Sequence, residues 1–197
     1  MTNDLIPGGA MPPAPRRAQQ DFTLVALDGE KVALADRRQW SQVLVCALRV
    51  SSQSRELGGL EGARRLLEGP TEHELLALSA LAENALAVPP DAKANRVFVG
   101  ILLDVYPAGA GDVDAFKKIV SNDLVDEGFP PIVVAEALQT LRRTSKFRPA
   151  LSEIVDACHE GRRRWTAQLK LLAELVDERR KAETTVSRYS ALPSRSG

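Results

Sequence analysis

From Thr71 onward, leucine, valine, isoleucine and alanine recur three and four positions apart, and proline or glycine closes each such stretch. That rhythm paints one apolar stripe along a helix, and such stripes become stable by facing one another. Thr71 and Glu74 have the spacing of a capping box, which places a helix start just after Pro70. Leu75, Leu78, Leu81, Ala82 and Ala85 follow on one face, and Pro89-Pro90 stop it. A second helix over Asp91 to Val105 carries Phe98, Ile101, Leu102 and Val105; its rival is a buried strand over Arg96 to Val105. After an Ala/Gly turn at Ala108 to Gly111, Asp112 caps a helix bearing Val113, Phe116, Val120 and Leu124. Gly128-Phe129-Pro130-Pro131 reads as a stop and a new start, followed by Val134, Ala137, Leu138 and Leu141. Lys146-Phe147-Arg148-Pro149 then opens the longest stripe: Leu151, Ile154, Val155, Cys158, Trp165, Leu169, Leu172 and Val176. Gly161 interrupts it and marks a kink or a close approach. The expected fold is mainly α, a compact bundle of about five helices over residues 71–181.

The first third is organised differently. Residues 1–20 are rich in proline and glycine and read as a disordered arm, because such a segment buries too little to offset its ordering entropy. Residues 21–70 read as a small segment of hairpin plus helix. Apolar residues alternate from Phe22 to Leu34 around Asp28-Gly29, a hairpin signal. Trp40, Val43, Leu44, Ala47 and Leu48 recur at helical spacing, with a short strand over Val43 to Cys46 as the alternative. Gly58 and Gly59 break one helix from the next. The apolar rhythm is lost at Lys181, so residues 182–197 read as a flexible tail.

Composition narrows the function. Aromatics are 5% of the 197 residues, which argues against a sandwich or barrel. No stretch approaches the length of a membrane span, and the N-terminus lacks a basic-then-apolar signal, so a cytoplasmic protein is expected. The two histidines and two cysteines have no metal-ligand spacing, and Cys158-His159 are adjacent, pointing about 100° apart on a helix. Cys158 is expected to be a buried small hydrophobe and His159 an exposed helix residue. The glycines at 58, 59 and 62 lack the Lys-Ser or Lys-Thr of a phosphate loop. We expect no catalytic residues, no metal and no cofactor: not an enzyme.

Charge totals zero, with 26 basic and 26 acidic side chains, but it is sorted. Residues 104–136 hold seven acidic groups against Lys117 and Lys118. Residues 142–164 hold Arg142, Arg143, Lys146, Arg148, Arg162, Arg163 and Arg164 against three acidic groups. These seven are the candidate contacts for nucleic acid or a protein partner; the plain alternative is a pair of solvated helix faces. Arg162-Arg163-Arg164 is the strongest single patch in sequence. Phe147, Trp165 and Tyr106 are the only stacking candidates near the basic residues, and each is expected to belong to the core.

The order of features after Ile101 resembles a known family. Leu102-Leu103-Asp104-Val105-Tyr106-Pro107 precedes a helix, then a turn with Phe129-Pro130, then an Ala/Leu helix. Lys146-Phe147-Arg148-Pro149-Ala150-Leu151-Ser152-Glu153-Ile154 then opens a long charged helix. Over residues 97–165 this is similar to small phage and prophage replication proteins of the ATPase-free helicase loader/inhibitor type. The resemblance implies an adaptor that binds a replicative helicase, or another replication protein, and helps place it on DNA without hydrolysing ATP. Two other readings stand beside it. One is a helix-turn-helix DNA-binding regulator whose recognition helix follows Phe147-Arg148-Pro149; the other is a phage scaffold that only assembles proteins.

Overall fold

A computed structural model describes residues 24–25, 31–32, 35–106 and 112–191. The proposed arm, the Asp28-Gly29 turn, the Trp40 side chain, the Ala108 to Gly111 turn and the end of the proposed tail lie outside the described residues. Two-residue strands β1 (Leu24–Val25) and β2 (Lys31–Val32) pair antiparallel, Leu24 opposite Val32. The helices are α1 (Ala35–Leu57), α2 (Gly59–Leu67), α3 (Glu72–Ala87), α4 (Ala92–Leu103), α5 (Val113–Asp126), α6 (Pro131–Thr144) and α7 (Leu151–Ser190). Among the described residues there are seven helices, not about five. The surplus comes from α1 and α2, in the stretch read as hairpin plus one helix. Both segments with a strand alternative, Val43–Cys46 and Arg96–Val105, lie in or largely in helices.

From α3 onward the helix starts have local causes. The Thr71 hydroxyl accepts from the Glu74 N–H at 3.2 Å, and the Glu74 carboxylate accepts from the Thr71 N–H at 2.7 Å. That pairing, the backbone N–H first and the hydroxyl second, holds the Glu74 carboxyl below its usual range. Asp91 caps α4 through the Ala94 N–H at 2.8 Å, and Asp112 caps α5 through the Asp114 and Ala115 N–H groups. Pro131 occupies the first turn of α6. At the head of α7 no side chain caps the N–H groups, but Glu153 accepts from the Ala150 N–H at 2.7 Å.

The architecture is organised around α7. Its 40 residues make a rod about 60 Å long against which α6, α3, α2 and α1 pack, while α4 joins α5 to α6. Leu44 and Ala47 of α1 share one buried cluster with Leu75, Phe98, Leu102, Leu124, Phe129, Leu138, Ile154 and Leu172. The helix also outlasts its apolar rhythm: it runs into the proposed tail as far as Ser190, with Ala182 buried. A close approach explains one glycine, Gly62, but not Gly161. A β-carbon at Gly62 would stand 2.4 Å from the Ser54 carbonyl oxygen of α1, and one at Gly161 would touch Val133 at 3.4 Å. That is ordinary contact, so neither a kink nor a forbidding approach accounts for Gly161, and α7 runs through it without a break. No helix among the described residues is long and apolar enough to cross a membrane.

Candidate nucleic-acid and partner interface

The seven basic candidates fall into two groups along α7. Arg142 and Arg143 close α6, and Lys146 and Arg148 sit in the six-residue turn that follows. Arg162, Arg163 and Arg164 lie more than three turns down α7, about 20 Å away along the helix. The second group does not act as one patch. Arg162 points inward: its guanidinium donates to the Gly128 carbonyl at 2.6 Å and the Glu127 carbonyl at 3.2 Å, and it lies 4.4 Å over the Phe129 ring. These carbonyls belong to the end of α5, where Gly128 at φ 68° turns the chain and the Phe129 N–H bonds back to the Leu124 carbonyl. Arg162 is thus a cap on the negative end of α5. Arg163 forks onto Glu160, three residues back, and Arg164 is exposed.

The first group surrounds a rigid turn. The Ser145 N–H donates to the Leu141 carbonyl at 2.8 Å, and the Tyr106 hydroxyl reaches the Ser145 and Leu141 carbonyls at 3.3 and 3.4 Å. Burial pushes the Tyr106 phenol above its ordinary range, against the opposing hydrogen bond to Ser145. Arg148 stacks 4.1 Å over the Phe116 ring, and Pro149 is buried. Arg142 is half-buried, whereas Arg143 and Lys146 are exposed.

Between these anchors stands Phe147, 83% exposed. It was expected in the core, and the structure corrects that: Pro149, not Phe147, is the turn's inward side chain. Trp165 is buried as expected and donates from its indole nitrogen to Glu136 at 2.9 Å. Tyr106 is half-buried. Of the three stacking candidates, only Phe147 offers a free ring face.

A second surface was not expected at all. Helix α3 carries leucine or alanine on most of its sides, and among the described residues the helices that pack on it, α7, α1 and α6, cover one side. Leu76, Ala77, Ala80, Leu81, Ala87 and Val88 are exposed on the other, with Glu83 and Asn84 among them. Leu81 is a correction: counted on the buried stripe with Leu75, Leu78 and Ala82, it is 40% exposed, because it stands about 100° from Ala82 around the helix and falls on the side of Leu76 and Ala77.

Cys158 is fully buried, and burial pushes its thiol up to about 12, only partly countered by Arg162. His159 is half-buried, edge-on to the Phe129 ring and 3.7 Å from Glu127, so it is less open than expected. Among the described residues no three His, Cys, Asp or Glu side chains are grouped to hold a metal. Compared with protein-family models, curated proteins and solved structures, the chain finds no match.

Proposed function

We propose that this chain is a non-enzymatic adaptor of phage or prophage DNA replication that holds a replicative helicase through protein contacts. The observation that carries the binding role is the uncovered face of α3. A helix apolar on both sides leaves one side in water unless another protein covers it. Leu76 and Leu81, 44% and 40% exposed, flank a row of alanines that would let a partner helix approach closely. Assignment to replication rests on the order of motifs from Leu102 to Ile154. A place in the cytoplasm follows from the same reading. A helix-turn-helix regulator is less well supported, because the exposed side of the first turns of α7 carries Ser152, Glu153, Asp156 and Glu160. Those carboxylates would meet the phosphates of a duplex.

The test is co-elution of the full chain with the host's purified hexameric helicase in size-exclusion chromatography. We expect a complex for the wild type, and its loss for Ala80→Arg with helical content unchanged. A helicase that never co-elutes, or an Ala80→Arg variant that binds as well as wild type, would overturn the assignment.

A further inference from the structure

We propose that the turn between α6 and α7 binds single-stranded nucleic acid, with a base stacked on Phe147 and neighbouring phosphates held by Arg143 and Lys146. The turn is held in place before any ligand arrives. Ser145 is tied to Leu141 and Tyr106, Arg148 is stacked on Phe116, Pro149 is buried, and Ala150 is held by Glu153. A turn fastened at four points holds its one free ring out in water, so little order remains to be imposed when a flat ligand arrives.

Positive charge also lies close to Phe147 in sequence. Arg143 and Lys146 are exposed and form no ion pair among the described residues. Glu153 accepts from the Ala150 N–H and Glu136 from the Trp165 indole, which fixes where both carboxylates point without removing their charge. Unpaired cations one and four residues before an exposed aromatic are what a single strand needs: every base has a π-face, and the strand's phosphates supply the counter-charge.

Two rival ligands fit less well. A duplex keeps its bases stacked on each other and gives Phe147 no face to cover. A protein pocket would enclose the ring in further apolar contacts, but no other large exposed apolar side chain lies between Leu141 and Ala150. The inference does not depend on the helicase contact, which is placed on α3.

The experiment is fluorescence anisotropy of a labelled 20-mer of dT titrated with the full chain at low salt, beside a 20-mer of rU and a duplex of equal length. We expect the single strands to bind more tightly than the duplex, and preference between dT and rU to assign DNA or RNA as the natural source. Phe147→Ala should weaken single-strand binding about tenfold, while Phe147→Trp retains it. Arg143→Ala with Lys146→Ala should weaken it and flatten its salt dependence. No binding by folded wild type, preference for the duplex, or Phe147→Ala binding unchanged would overturn the proposal. Loss of helicase co-elution in Phe147→Ala with oligonucleotide binding intact would also overturn it, making the turn a protein contact. Ala80→Arg separates the two readings, since it should spoil the α3 contact and leave oligonucleotide binding alone.

Discussion

The Arg179 guanidinium donates to the Pro70 carbonyl oxygen at 2.7 Å across 109 residues of chain. The same group approaches the carbonyls of Leu66, Leu67 and Gly69 at 3.3 to 3.4 Å. Leu66 and Leu67 end α2 and Gly69 and Pro70 follow it; the Leu66 carbonyl also accepts from the Gly69 N–H, so an arginine of α7 adds to the closure of that helix end much as Arg162 does at α5. Each places a positive charge at the negative end of a helix dipole, and each fastens α7 to a different part of the bundle.

Arg179 is 8% exposed, so its loss leaves several carbonyls without a partner. Arg179→Leu should lower the unfolding free energy by about 2–3 kcal/mol. Arg179→Lys should recover only part of this, because an ammonium cannot fork across several acceptors. Urea unfolding followed by circular dichroism measures both. Equal midpoints for wild type and Arg179→Leu would refute the capping role.

Arg162 is half-buried, and its loss should cost less. Arg162→Ala should destabilise by about 1–2 kcal/mol. The accompanying change in amide hydrogen exchange should be confined to the α5 terminus, at Gly128 and Phe129. Uniform acceleration across the bundle would mean that Arg162 supports more than this helix end.

Glu178 ties α7 to α1 by accepting from the Ser51 hydroxyl at 2.6 Å and from Arg55 at 2.5 Å. Burial pushes its carboxyl up, but the Ser51 and Arg55 contacts outweigh burial and hold it below its usual range. A carboxyl depressed in the folded state contributes stability above its unfolded value and loses it as the pH falls through the folded one. Glu178→Gln should therefore be less stable than wild type at pH 7, and the gap should close below about pH 4. A gap independent of pH would refute the charged tie.

Asn95 is fully buried on α4, and neither its amide nitrogen nor its amide oxygen finds a partner among the described residues. Replacing it by an apolar residue of similar size removes the desolvation cost. Asn95→Leu should raise stability by about 1–2 kcal/mol with the urea dependence unchanged. A lower midpoint would show that the amide is satisfied.

Cys158, with its thiol pushed up to about 12, should resist thiol reagents at pH 8 until the chain unfolds. Half-buried Cys46 should react first. Mass mapping of native and urea-treated protein distinguishes them.

Much of this fold was legible from local rules. Thr71, Asp91, Asp112 and Pro131 announced helix starts because a cap is a contact over three residues, visible in any short window. The stripes of α3 to α7 were visible for the same reason. Arg179 was legible in principle, since it sits on the buried side of α7 beside Val176 and Ala182, where a charge needs acceptors. What those acceptors were could not be read, because they lie more than a hundred residues upstream.

The amino-acid order by itself determined that the back half is helical, where most of its helices begin, and that basic residues gather at the α6–α7 turn and on α7. Tertiary structure decided which of those charges stay available. It turned Arg162 onto the end of α5, put Phe147 outside and Pro149 inside, and, among the described residues, left one side of α3 exposed. Helix periodicity says which side chains share a face, but only the packing of distant helices says which faces are covered. The ligand-facing surface is what remains after that packing is complete.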